Sequence, residues 1–494
     1  MLRASLIFVA IAIAALFCCD LQLGHTDPWA MLAHVGHGLL HPDWGVLWHD
    51  GRPDPAILKG LGHTLAFAFA ATALGVAAGL LFAFHYQRRW VRAPLALIRS
   101  IHELFWVLLL GPLLGSTSEV CALFAIALPF AAIFAKVYSE ILEEADTRPL
   151  DCLPRRPGLS RIFYVLLPMA WNAGRAYTAY RFECALRASV VLGFVGIPTL
   201  GYHLKDAFGD SEYAAAAALF YLLLALVATH RLWIRAKMIP LWIAAAFLWI
   251  NWSSPLSWSN LKHFLGELIP LPLQRGDWAA MGPWLKQVLF AEAAPGLANA
   301  LLVTQVSLVV CGLLVVVLLP LALPQTAPRP LRFVAKSLFL VMRCIPEYIL
   351  AFLLMLVLGP SALPAILTIS GHNAGLLAHI MANASAAIEP RVRSRRALDR
   401  YFYDLLPRIY GQILAFLFYR WETMLRESAI LGVLGVGTIG FFIKQNLALD
   451  RPDRAALLIL LAGLTTLGID LLSGHLRKKL RLSSDFSSGR CGEG

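Results

Sequence analysis

Long apolar stretches follow one another along the whole chain, and that succession decides the class of fold. A helix needs about 20 apolar residues to cross the roughly 30 Å of bilayer hydrocarbon. About twelve stretches approach that requirement. They lie near residues 5–21, 61–85, 95–114, 120–138, 171–193 and 213–230, then 238–252, 297–323, 333–358, 363–387, 409–434 and 455–472. Of the 494 residues, 59% are hydrophobic and 15% charged. Soluble domains average about 45–50% and roughly 25%, so no soluble fold of this length covers so much apolar surface. Isolated strands leave backbone groups unbonded in lipid, so the spans are read as helices. The expected fold class is an all-α integral membrane protein embedded in a lipid bilayer.

The net charge of +12 would suggest nucleic acid in a soluble protein. Here no basic stripe interleaves with exposed aromatics, and no nucleic-acid partner is expected. The basic residues sit in alternate connectors: Arg3; Arg88, Arg89 and Arg92; Arg148, Arg155, Arg156 and Arg161; Arg231, Arg235 and Lys237; Arg329, Arg332 and Lys336; Arg391, Arg393, Arg395, Arg396 and Arg400; and Arg477, Lys478, Lys479 and Arg481. The positive-inside rule then places both termini in the cytoplasm. The start of the chain has one positive charge and an apolar run from Leu6 to Phe17. No clean small-residue cleavage site follows, so it reads as an uncleaved first span. Cys18 follows Phe17, where a lipoprotein site wants a small residue. The eight cysteines form no CxxC pair, so a disulfide framework or zinc site has no support, and no cofactor is expected. Two longer outer segments, 24–60 and 253–295, carry Trp44, Trp48, Trp278 and Trp284. Tryptophan favours the membrane–water boundary, so short surface helices are expected there.

The chain also repeats itself. Residues 180–201 read YRFECALRASVVLGFVGIPTLG, and residues 419–440 read YRWETMLRESAILGVLGVGTIG. Eleven of these 22 positions are identical at an ungapped offset of 239. The same offset aligns Phe163-Tyr164 with Phe402-Tyr403 and Leu167-Pro168 with Leu406-Pro407. A shifted match pairs Arg99, Ile101 and Glu103 with Arg343, Ile345 and Glu347. Chance likeness between apolar helices matches Leu, Val and Ala, not Arg, Glu, Arg and Ser in register. The chain therefore reads as two tandem repeats, 1–235 and 236–494, each of about six spans. An even number of spans in each half makes the repeats parallel, with a pathway expected between them.

Charges fall inside the repeated apolar blocks. Glu183 and Arg187 stand four apart, as do Glu422 and Arg426, the better order for a helical pair. Arg181 and Arg420 precede them, and Glu103 and Glu347 open apolar runs. Intramembrane charges pair, or line a polar path. Both roles, helix locking and pathway lining, remain open for these residues and for Ser189 and Ser428. Gly193, Gly196, Gly432 and Gly435 close the blocks and fit tight packing, a hinge, or both.

These blocks resemble the permease subunit of phosphonate-type ABC importers. So do the run Arg343, Ile345, Pro346, Glu347 and the His372, Ala374, Gly375 cluster. The resemblance implies the binding-protein-dependent ABC importer permease fold, with two permease units fused in one chain. It also implies ATP-driven import of a phosphonate or related phosphorus oxyanion across a bacterial inner membrane. Two cytoplasmic ATP-binding subunits and a periplasmic substrate-binding protein would be the partners. The ATPases would dock on the loops 140–168 and 389–407, with Arg155, Arg156, Gly158, Ser160 and Pro168 in the first and Arg395, Arg396, Asp399 and Pro407 in the second. A short coupling helix is expected in each loop. The importer superfamily marks it EAA-x3-G-x9-I-x-LP. Here both Leu-Pro pairs are present, but Gly158 stands too near Pro168 and the second loop has no glycine. The chain has no GxxxxGK[ST] and no HExxH, so any ATP hydrolysis belongs to a partner and no zincin chemistry is present. The competing readings are an ion-gradient-driven secondary transporter and a membrane subunit with degenerate ATPase coupling.

Overall fold

The computed structural model describes residues 2–22, 24, 27–145, 162–253, 257–389, 391 and 396–480. The helices that position the site are α1 (Leu2–Cys18), α2 (Pro55–Ala83), α3 (Arg89–Ser100), α4 (Glu103–Leu114), α5 (Glu119–Glu144), α6 (Leu167–Val191), α7 (Leu200–Gly209), α8 (Tyr213–Trp233) and α9 (Ile239–Trp249). They continue with α10 (Ala294–Ala322), α11 (Arg329–Cys344), α12 (Glu347–Leu358), α13 (Ala362–Ser385), α14 (Leu406–Leu431), α15 (Ile439–Ala448) and α16 (Pro452–Lys479). One two-residue hairpin, Trp48–His49 with Arg52–Pro53, is the sole sheet among the described residues.

The chain forms two compact units. The continuous unit is Val35–Gly266 and holds α2 to α9. The split unit joins Met1–His34 to Glu267–Gly494 and holds α1 with α10 to α16. In the split unit, α1 lies against α10 and α14. Phe8 meets Phe418 and Trp421 edge-on at 5.2 and 5.3 Å, Gln305 donates to the Phe8 carbonyl at 3.1 Å, and Tyr410 bonds Ser5 at 2.6 Å. In the continuous unit, α9 packs on α2. Phe69 stacks on Trp242 at 5.6 Å, and the Trp249 ring covers Gly62 so closely that a Cβ there would sit 2.4 Å from it. Each unit thus pairs one short apolar helix with a seven-helix bundle.

Among the described residues, six helices are long and apolar enough to cross a membrane. Four further pairs would each make a span if taken together, giving up to ten, and two shorter apolar helices remain. The expected continuous spans at 95–114 and 333–358 are corrected: each is bent, by 97° between α3 and α4 and by 94° between α11 and α12. The reason is local. Ile345 precedes Pro346 and is extended, at φ −74°, ψ 122°, as residues before proline must be. On the other side Ile101 and His102 are extended, and the His102 ring accepts from the Leu104 N–H at 3.2 Å as an N-cap. A cap starts a new helix, so hydropathy continues where the axis does not. The amphipathic α3 buries Val91, Leu95 and Arg99.

Trp44, Trp48 and Trp278 are exposed, but Trp284 is buried at 6% exposure, against its expected boundary position. Asp453 explains this. Its carboxylate accepts from Trp284 Nε1 at 3.1 Å and the Leu271 N–H at 3.1 Å, and binds Arg451 at 3.0 Å. Segment 271–284 is thereby tied to the start of α16.

Candidate functional site

The split unit buries a connected set of polar side chains. Helix α14 carries Arg420, Glu422, Arg426, Glu427 and Ser428; α13 carries His372 and Asn373; α12 begins at Glu347. Charges removed from water must find partners, and here they do. Arg420 Nη2 donates to Glu427 Oε1 at 3.3 Å, and Arg420 Nε donates to Asn373 Oδ1 at 2.6 Å. Asn373 Nδ2 donates to Glu427 Oε2 at 2.9 Å and to the Ile369 carbonyl at 2.8 Å. Asn373 is fully buried and Glu427 is 7% exposed. Beside them His372 lies between two acceptors, Glu347 Oε1 at 2.8 Å and the Met342 carbonyl at 3.0 Å. Arg420 and Glu427 stand seven residues apart, two helical turns, which places them on one face.

Helix α6 in the continuous unit carries Arg181, Glu183, Arg187 and Ser189. The surroundings differ. The offset of 239 puts Ala188 where α14 has Glu427. The offset of 244 relates Gly115 to Gly359, both at positive φ after α4 and α12, of 92° and 87°. Beyond the glycines the loop is one residue shorter in the split unit, and the first residues of α5 and α13, Glu119 and Ala362, put Pro129 and Phe130 where α13 has His372 and Asn373. Arg181 instead lies over the Phe130 ring at 4.4 Å, and its buried Nε makes no hydrogen bond among the described residues. Glu103 supplies a carboxylate to its electrostatic surroundings and lies 3.4 Å from His102 Nδ1. Glu183 is 1% exposed, and Arg187 Nη2 donates to Cys184 Sγ at 3.5 Å.

The two serines diverge. Ser189 donates to the Leu186 carbonyl of its own helix at 2.9 Å. Ser428 also bridges helices, accepting from Thr304 on α10 at 3.0 Å.

The repeated glycines make one corner, formed in each unit, where α6 turns into α7 by 49° and α14 into α15 by 42°. Gly196 and Gly435 have φ of 95° and 118°, a backbone state costly for residues with a Cβ. Gly193 and Gly432 sit against backbone: a Cβ would lie 2.2 Å from Tyr202 N and 2.4 Å from Phe441 N. Lys205 caps the Phe194 carbonyl at 3.3 Å, and Lys444 caps Val433 at 3.0 Å, at the same offset.

Of the expected ATPase-contact residues, Arg155, Arg156, Gly158, Ser160 and Arg395 lie outside the described residues. Arg396 precedes a single turn of helix, Ala397–Arg400, which contains Asp399. A π-turn, Tyr401–Leu405, then leads into α14, and another, Ile162–Leu166, leads into α6. Pro407 and Pro168 stand where those π-turns pass into α14 and α6. Asp404 holds the approach through Arg408 at 3.3 Å and the Arg391 N–H.

Glu427 and Asn373 are not repeated, so the matched blocks do not single them out. A carboxylate seven residues after an arginine inside an apolar helix was the available signal.

A chain of many apolar helices with charged groups buried among them is a multi-pass membrane protein with polar groups held inside its helix bundles. No family model matches it. It is 25% identical over 475 residues to the phosphate-import permease protein PhnE of Mycolicibacterium smegmatis, covering 86% of each chain. It is 30% identical over 230 residues to the phosphite transport system permease protein PtxC of Stutzerimonas stutzeri, covering 45% of this chain and 78% of that one. One solved structure, an amino acid ABC transporter with histidines, aligns at a TM-score of 0.34 and 18% identity over 41% of this chain and 98% of that chain; that likeness is too slight to add to the argument. The chain belongs to the permease proteins of phosphite and phosphonate transport systems.

Proposed function

We propose that this chain is the complete transmembrane permease of an ATP-driven importer for a phosphorus oxyanion, a phosphonate, phosphite or phosphate. The observation that carries the reading is similarity along 86% of the chain to a phosphate-import permease. A phosphite permease matches only 45% of it, which supports two permease units in one chain. The repeats 1–235 and 236–494 would run parallel and together supply about twelve spans, reached when the bent pairs and both short apolar helices are counted with the long ones.

In this reading the protein resides in a bacterial inner membrane with both termini cytoplasmic, as the basic connectors require. Two ATP-binding subunits engage the loops 140–168 and 389–407, and a periplasmic binding protein delivers the anion. The two halves then open the path alternately to each side. Buried charged groups on α6 and α14 influence the anion along that path, while the glycine corners keep the helix ends in close contact. The test is uptake of labelled phosphate, phosphite and methylphosphonate by cells lacking their own importers and expressing the full transport system. Uptake of at least one, abolished by a hydrolysis-deficient ATPase subunit and insensitive to an uncoupler, is expected. Uptake that collapses with the proton gradient and ignores the ATPase would refute the reading.

A further inference from the structure

We infer that the two units are chemically unequal and that the anion is handled by Arg181 of the continuous unit, its counterpart Arg420 being occupied by an internal carboxylate. The inference rests on the oxyanion-permease reading above and deepens it.

Arg420 is neutralised from within. Its Nη2 is bonded to Glu427 and its Nε to Asn373. Glu427 in turn is fixed by Asn373. The continuous unit removes these restraints together: Ala188 stands for Glu427, Phe130 for Asn373 and Pro129 for His372. Arg181 is retained. It lies 4.4 Å from the centre of the Phe130 ring, which holds the cation but offers no lone pair, and its buried Nε has no hydrogen-bond partner among the described residues. A guanidinium carries five N–H donors in a fork that matches phosphorus oxyanions.

The acids make the same distinction. Each unit has one Glu four residues before the second arginine, Glu183 or Glu422, and one Glu opening the bent pair, Glu103 or Glu347. Only the split unit adds Glu427. Its Glu347 is also bound to His372 at 2.8 Å, a partner that Pro129 cannot replace. An anion therefore meets one fewer negative charge along the continuous unit, together with a cation that still has donors to give.

The sharpest test restores the missing acid. Cells carrying the full transport system would be assayed for uptake of phosphite, phosphate and methylphosphonate at matched membrane levels. Ala188→Glu is expected to lower uptake at least tenfold, while Ala188→Gln, of equal volume, keeps more than half. Equal losses in the two variants would show that volume, not charge, is responsible and would overturn the inference. If Ala188→Glu fails to accumulate, the arginines decide. Arg181→Gln is expected to raise the KM for the anion at least fivefold, with Arg181→Lys intermediate. Arg420→Gln is expected to lower the thermal midpoint without a comparable KM change. A larger KM effect at Arg420 would reverse the assignment. Wild-type protein that moves none of the three anions would remove the oxyanion reading itself, an outcome distinct from transport that is indifferent to Arg181.

Discussion

Replacing Glu427 by alanine is the perturbation whose cost the structure specifies best. The carboxylate accepts from Arg420 at 3.3 Å and from Asn373 at 2.9 Å, and at 7% exposure water has little access to replace it. Removing one member of a buried ion pair costs about 3–5 kcal/mol, because the remaining charge is left in low dielectric. Arg420 keeps its 2.6 Å bond to Asn373, so the expected loss is at the lower end, about 3 kcal/mol. For a unit of this size each kcal/mol moves the thermal midpoint by about 2–4 °C, which predicts a fall of roughly 6–12 °C. The assay is a heating series on detergent-solubilised protein, read by size-exclusion chromatography. Glu427→Gln, whose amide oxygen still accepts one bond, should lose about half as much. A fall of less than about 2 °C in the alanine variant would place the pair among interactions that contribute almost nothing and would refute the reasoning. Additive effects of Glu427→Ala and Asn373→Ala would refute it as well, since groups sharing a network couple.

Other perturbations test other parts of the account. Gly440→Val would place a Cβ 2.1 Å from the Ala429 carbonyl oxygen; a loss of about 3 kcal/mol or more should appear as reduced membrane accumulation, with Gly201→Val behaving alike. Phe8→Ala removes both edge contacts of α1 with Phe418 and Trp421 and should cost about 3 kcal/mol, read as faster proteolysis of the N-terminal segment. Asp453→Ala deprives Trp284, Leu271 and Arg451 of one shared acceptor; the loss of about 3 kcal/mol should show as faster hydrogen exchange across 271–286, with the exchange of α13 unchanged.

Much of this was legible in the sequence, for identifiable reasons. Apolar length reports spans because lipid admits few alternatives, and the Arg, Glu and Gly residues matched at one offset stand out because chance likeness between apolar helices does not match charge. The bends after Ser100 and Cys344 escaped because the hydropathy on both sides is continuous, although Pro346 was in view. The membership of α1 and α9 in their units was hidden because a repeat records descent and does not say which bundle a terminal apolar helix covers. The Glu427 network lies outside what the two blocks share: Ala188 and Glu427 carry information by differing. The paired roles assigned to Ser189 and Ser428 concealed a difference too: Thr304 reaches Ser428 at 3.0 Å, while Ser189 bonds only back along its helix at 2.9 Å among the contacts described.

The central claim is that one chain forms the whole membrane core of an ATP-driven importer. Native mass spectrometry of the tagged protein, purified in mild detergent from cells expressing the complete transport system, measures this directly. The account predicts a complex of one copy of this chain with two ATPase subunits. A complex holding two copies of this chain, or a chain that purifies alone under conditions that preserve related complexes, would contradict it.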